Sequence, residues 1–287
     1  MAAVCKRGDC LTASRKGFRR FTCSRRGLAV PVTYLILFGS LMVLVSITYG
    51  FAVAYINAKG AVLRVAVAKL NMQVLDDAVR FVAWNPGASK TTFMEDCGGV
   101  FQIQPDVGNL VLRLTDGGDF YTVVFNGCLG RALYTFSVLP ESQEGSFVRG
   151  DRRTIVGQGT STQTQLYFAI DESIPQLVLR YRPMATALAS SMNNGEPYNV
   201  IRVYIISLNN TQSLTLSGGF NLKVSAPSVV STAYSFTFDE AVSSLVLEAL
   251  YEGAETRIRL PITSNFEGAV VNVEVYVCSV IFQVVSS

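Results

Sequence analysis

Histidine is missing from all 287 residues. Its absence removes Ser-His-Asp and Cys-His nucleophiles, the usual catalytic zinc sites and the commonest general base near neutral pH. Carboxylate chemistry of the glycosidase kind needs two Asp or Glu side chains held on opposite sides of a bond. The adjacent pairs Asp76-Asp77, Asp171-Glu172 and Asp239-Glu240 are sequence neighbours whose side chains diverge on a helix or strand, so each reads as a solvated face or loop. Asp116 and Asp119 bracket two glycines without the further oxygen ligands that calcium wants. Cys5 and Cys10 have neither a second cysteine pair nor a histidine to complete a zinc set. The expectation is a protein that is not an enzyme and carries no cofactor or metal.

Charge is scarce as well, at 16% of residues, and it is missing altogether from Leu28 to Ala58. About 20 apolar residues suffice to cross a bilayer, so this interval reads as one membrane helix. Lys6, Arg7, Arg15, Lys16, Arg19, Arg20, Arg25 and Arg26 precede it against Asp9 alone, which places the N-terminus in the cytoplasm and the rest outside. The overall net charge of +3 resides in this leader, so it signals membrane topology and not nucleic acid. A secretory signal peptide has an apolar core of roughly 7 to 15 residues before a cleavage site. The run here is longer and continues into helix-forming sequence, so the helix is expected to be retained.

From Leu63 the pattern becomes striped: Leu63, Val67, Leu70, Val74, Ala78 and Phe81 recur at spacings of three and four. That is one helix face, expected to pack against a soluble domain until Asn85-Pro86-Gly87 stops it. A helix from about Val32 to Val82 would be on the order of 75 Å long. Pro31 is expected in its first turn, where a missing N–H costs nothing.

The junction itself carries a resemblance. A basic leader ending Arg25-Arg26-Gly27, an apolar helix directly after it with Pro31, Thr33 and Tyr34 near its start, and an amphipathic continuation into a β-rich head resemble the type IV pilin-like proteins, the archaeal branch most of all. The resemblance covers about Arg25 to Val82. It implies cleavage between Gly27 and Leu28 by a prepilin peptidase, handling by pilus assembly machinery, and packing of the freed helix against other pilin subunits in a surface filament. The fifth residue after Gly27 is Val32, where bacterial pilins usually place a glutamate, so the bacterial comparison is the weaker one. The size of the head implies a minor or tip subunit. A stationary membrane-anchored binding or adhesion protein remains the alternative.

After Gly87 short β-branched and aromatic runs alternate with turn residues. Leu110–Leu114 and Asp119–Phe125 flank Asp116-Gly117, a hairpin signal that predicts positive φ at both central positions. Tyr198–Leu208, Leu214–Leu216, Phe220–Val224, Ala233–Phe238, Ser243–Ala249, Thr256–Leu260 and Val270–Val285 continue the series. In the last of these, Val271, Val273, Val275 and Val277 share one face, predicted to be core. The fold class expected is α+β: a long N-terminal transmembrane and amphipathic helix, then a mainly antiparallel β-sandwich head of one or two lobes. The divisions are a leader at 1–27, the helix at 28–84, an inner lobe at 88–140, a loop or linker at 141–160 and an outer sandwich at 161–287.

Of the six cysteines, Cys97, Cys128 and Cys278 lie on the exported side, where oxidation is permitted. Cys97 and Cys128 flank strand-turn junctions, and a bridge between them would close a loop of about 30 residues worth about 3 kcal/mol. Cys278 is expected as a buried thiol. Asn209-Asn210-Thr211 is an acceptor sequence for N-glycosylation in an exposed loop.

Overall fold

The computed structural model describes residues 26–136, 145–159, 162–188, 191–193, 196–208 and 213–285. Helix α1 (Arg26–Ala83) comes first. The strands that follow are β1 (Ser89–Met94), β2 (Val100–Thr115), β3 (Tyr121–Thr135), β4 (Phe147–Arg149), β5 (Val156–Gly157), β6 (Thr164–Asp171) and β7 (Ile174–Tyr181). Next come β8 (Met184–Ala187), β9 (Ser191–Asn193), β10 (Glu196–Leu208), β11 (Leu214–Ser217), β12 (Phe220–Phe238), β13 (Ser244–Tyr251), β14 (Ala254–Pro261) and β15 (Ala269–Val285). The chain thus has one long apolar N-terminal helix followed by a mostly β domain. It divides after Asn57 into two units, so the second half of α1 belongs with the strands.

Among the described residues the strands form two sheets. One is seven-stranded, in the order β1-β12-β15-β10-β8-β5 with β9 paired to β10. The other is eight-stranded, in the order β14-β13-β2-β3-β7-β6-β4 with β11 paired to β2. Pairing is antiparallel except for β10 with β15 and β5 with β8. Ala233–Phe238 is not a separate strand: it continues β12 past a bulge between Ser225 and Ser228, where Pro227 removes a ladder donor.

Two apolar cores result. The first combines Val65, Ala68, Met72, Leu75, Val79 and Val82 of α1 with residues of both sheets, among them Phe101, Phe168 and Leu222. The second joins both sheets without the helix, through residues such as Leu112, Leu247, Ile201, Ile205 and Val273. The long strands run through both cores and change their buried side on the way. In β15 the buried positions are Val271, Val273 and Val275, then Cys278, Val280 and Phe282. In β10 they include Ile201, Val203 and Ile205, then Ile206 and Leu208. The strict alternation expected of the last strand therefore holds only to Val275, and Cys278 is buried in the first core.

The expected inner and outer lobes are not separated. Segment 88–140 supplies β2 and β3, which hydrogen-bond to β13 and β7 from segment 161–287 within one sheet. Nor is 141–160 a simple linker. Its described part contributes β4, β5 and the buried Thr154 and Ile155.

Candidate functional site

Every residue of α1 from Val30 to Lys59 is exposed, and the stretch is long and apolar enough to cross a membrane. Three of its hydroxyls are satisfied internally: Ser40 donates to the Leu37 carbonyl, Ser46 to Met42 and Thr48 to Leu44, at 2.8–2.9 Å. These groups need no water as a partner. Arg26, Gly27 and Leu28 lie in the first turn of α1, and Arg25 lies outside the described residues. Pro31 is inside the helix and not in its first turn as expected. With no N–H, it leaves the carbonyl four residues back, on Gly27, without its helical donor.

The apolar stripe expected to pack on the head does so only in part. Ala78 is buried and Val67 half-buried, but Leu63, Leu70 and Phe81 are 65%, 57% and 54% exposed. The helix mainly buries Val65, Ala68, Met72, Leu75, Val79 and Val82, a second stripe with the same alternating spacing of three and four. Both stripes satisfy helical periodicity, and polar anchors decide between them. On the buried side Asn71 donates to the Glu95 carbonyl at 2.8 Å and Asp76 is fully enclosed. Leu63, Leu70 and Phe81 are left open.

Asp76 is the focus of a buried polar cluster. Its carboxylate accepts hydrogen bonds from Thr164 Oγ1 at 2.7 Å and Tyr181 Oη at 2.9 Å, and pairs with the Arg149 guanidinium. Arg149 also reaches Asp77 at 3.1 Å. The adjacent pair Asp76-Asp77 is thus not a solvated face: one arginine binds both carboxylates, and one of them is inside the protein. A second acid, Asp151, pairs with Arg182, while Arg153 holds the other oxygen of that carboxylate at 2.7 Å. The hydrogen bonds from Arg153 and Arg182 hold the Asp151 carboxyl well below the usual range. Arg149 also lines a cleft of about 850 Å³, together with Arg80, Phe81, Trp84, Gln163 and Met184. Trp84 packs edge-on against Tyr204, with ring centroids 5.2 Å apart.

Burial pushes the Tyr181 phenol well above its ordinary value, and burial pushes Tyr251 up to about 12. The unfolded chain loses these protons first, near pH 10, so their contribution is complete below pH 10 and falls as pH rises toward the folded values. The urea midpoint of the head, followed by near-ultraviolet circular dichroism in detergent, is expected to fall between about pH 10 and 12. A midpoint that stays level over that range would contradict the burial of these phenols.

Compared with known protein families, curated proteins and solved structures, the chain matches none. Its own residues carry the functional reading.

The remaining predicted positions are scattered. Cys97 and Cys128 are both free thiols, one buried and one exposed. The β2–β3 register pairs Val100 with Thr135 but Asn109 with Cys128. Cys128 therefore sits seven residues of β3, or ~23 Å, along the ladder from the end that Cys97 precedes, and the two cannot bridge. Cys97 instead accepts a hydrogen bond from Asn71 at 3.3 Å. Asn209, Asn210 and Thr211 lie outside the described residues. Among residues 116–120 only Gly117 has positive φ. Asp116 Oδ1 accepts from the Gly118 amide at 2.7 Å and the Phe120 amide at 3.3 Å, so the β2–β3 connection is an Asp-stabilised loop and not a two-residue turn. No metal-binding cluster occurs among the described residues. The Asp76 cluster escapes sequence reasoning because Arg149, Thr164 and Tyr181 lie far along the chain, and only the unexplained acid on a helix face hints at it.

Proposed function

We propose that the chain is a pilin-like subunit, minor or at the tip, of an archaeal type IV pilus-like surface filament or secretion apparatus. The leader at 1–27 stays in the cytoplasm, a prepilin peptidase cuts between Gly27 and Leu28, and α1 then packs against α1 of other subunits. The head, read as a β-sandwich, faces outward and does no chemistry. The observation that carries this reading is the open helix face: an apolar stretch exposed from Val30 onward, continued by the exposed Leu63, Leu70 and Phe81. A helix that serves only as an anchor has no need of an apolar stripe beyond the membrane, whereas a helix in a bundle does.

Pro31 gives independent support. In a chain beginning at Leu28 it is the fourth residue, among the amides that have no helical partner in any case. The cleft beside Trp84 favours a second reading, a membrane-anchored surface protein that binds a partner and does not polymerise. The mass and N-terminal sequence of protein from native membranes and sheared surface material separate the two. A start at Leu28 is expected; an intact leader confined to the membrane fraction would leave the anchored protein as the better account.

A further inference from the structure

Edge strands of a sheet offer unpaired amides and carbonyls, and proteins guard them by shortness, charge or proline. Most edges here are guarded. β4, β5 and β9 are short, β1 carries Lys90, and β14 carries Glu255, Arg257, Arg259 and Pro261. β12 is different. Along Phe220–Ser225 it pairs with β1 on one side, but from Ser228 to Phe238 it pairs only with β15 among the described residues. No charged residue occurs between Lys223 and Asp239. The strand is also open at its faces: Val230 is 60% exposed, and Ser231, Thr232 and Ala233 are exposed with it.

We propose that the Ser228–Phe238 edge of β12 pairs with the same edge of a second copy of this chain, antiparallel about a two-fold axis, joining two seven-stranded sheets into one. The occupant follows from the edge itself. A two-fold axis makes the contact self-complementary, each residue meeting its counterpart reciprocally. Centred on Ala233, the pairing sets Ser231 opposite Ser235 and Thr232 opposite Tyr234, so small residues share one face and larger ones the other. The strand is neutral, so no like charges face each other across the ladder. This inference goes beyond the filament reading and does not depend on leader cleavage.

The test uses the full chain in detergent, with light scattering for oligomeric state and hydrogen exchange for the β12 amides that point away from β15. Ser231→Lys and Ala233→Lys place a charge on the edge at exposed positions, and Leu70→Gln alters the helix stripe instead. The expected result is a dimer whose outward β12 amides are protected, weakened about tenfold or more by either lysine and still edge-protected in Leu70→Gln. A monomeric parent, outward amides that exchange freely, or lysine variants that associate as tightly as the parent would each overturn the proposal. Loss of protection in Leu70→Gln alone would assign association to the helix and overturn it too.

Discussion

Asp76→Ala is expected to destabilise the head by about 2 to 4 kcal/mol, the scale for leaving two buried hydroxyl donors unsatisfied. The carboxylate is fully buried and receives Thr164, Tyr181 and Arg149. Alanine would leave two hydroxyls without an acceptor, while the partly exposed Arg149 would keep Asp77 as its partner. Asp76→Asn keeps an acceptor oxygen and is expected to lose less. Denaturant unfolding in detergent gives the values, and a double change of Asp76 to Leu with Arg149 to Met is expected to recover part of the loss, because it removes both charges together. A loss below about 1 kcal/mol for Asp76→Ala would mean that the pair contributes no more than a surface bridge.

Gly130→Val is expected to cost about 3 kcal/mol or more. A Cβ at Gly130, in β3, would collide with the backbone carbonyl of Leu208, at the end of β10, and lie 2.9 Å from the Gln104 carbonyl oxygen. β3 and β10 belong to different sheets, so the glycine marks a point where two backbones approach too closely for any side chain. Backbone atoms cannot rotate away as a flexible side chain could. The same measurement checks it, with Gly117→Val as a comparison at an exposed turn; there the strain comes from positive φ, since nothing lies within 4 Å.

What could be read from the sequence was local. The charge-free run from Leu28, the strands at 198–208, 243–249 and 270–285, and the β2–β3 hairpin each follow from residues close together in the chain. What could not be read depended on distant partners. Two stripes of α1 have equal periodicity, and only the anchoring of Asn71 and Asp76 by residues of the head selects the one that is buried. The Cys97–Cys128 pairing failed because nearness to turns says nothing about ladder register. The two-lobe division failed because β2, β10, β12 and β15 cross from one core to the other, which no boundary in composition reveals. Of the candidate site, the basic-glycine junction was visible, whereas the acid cluster and the unguarded β12 edge needed the topology.

The burial of α1 in the first core has an energetic side. Val65, Met72, Leu75, Val79 and Val82 share that core with strands of both sheets. Detaching this half of α1 would expose those side chains to water at roughly 1.5 to 3 kcal/mol for each, and would uncover the strand residues that face them. The helix is therefore part of the head's own fold and not a tether joined to it.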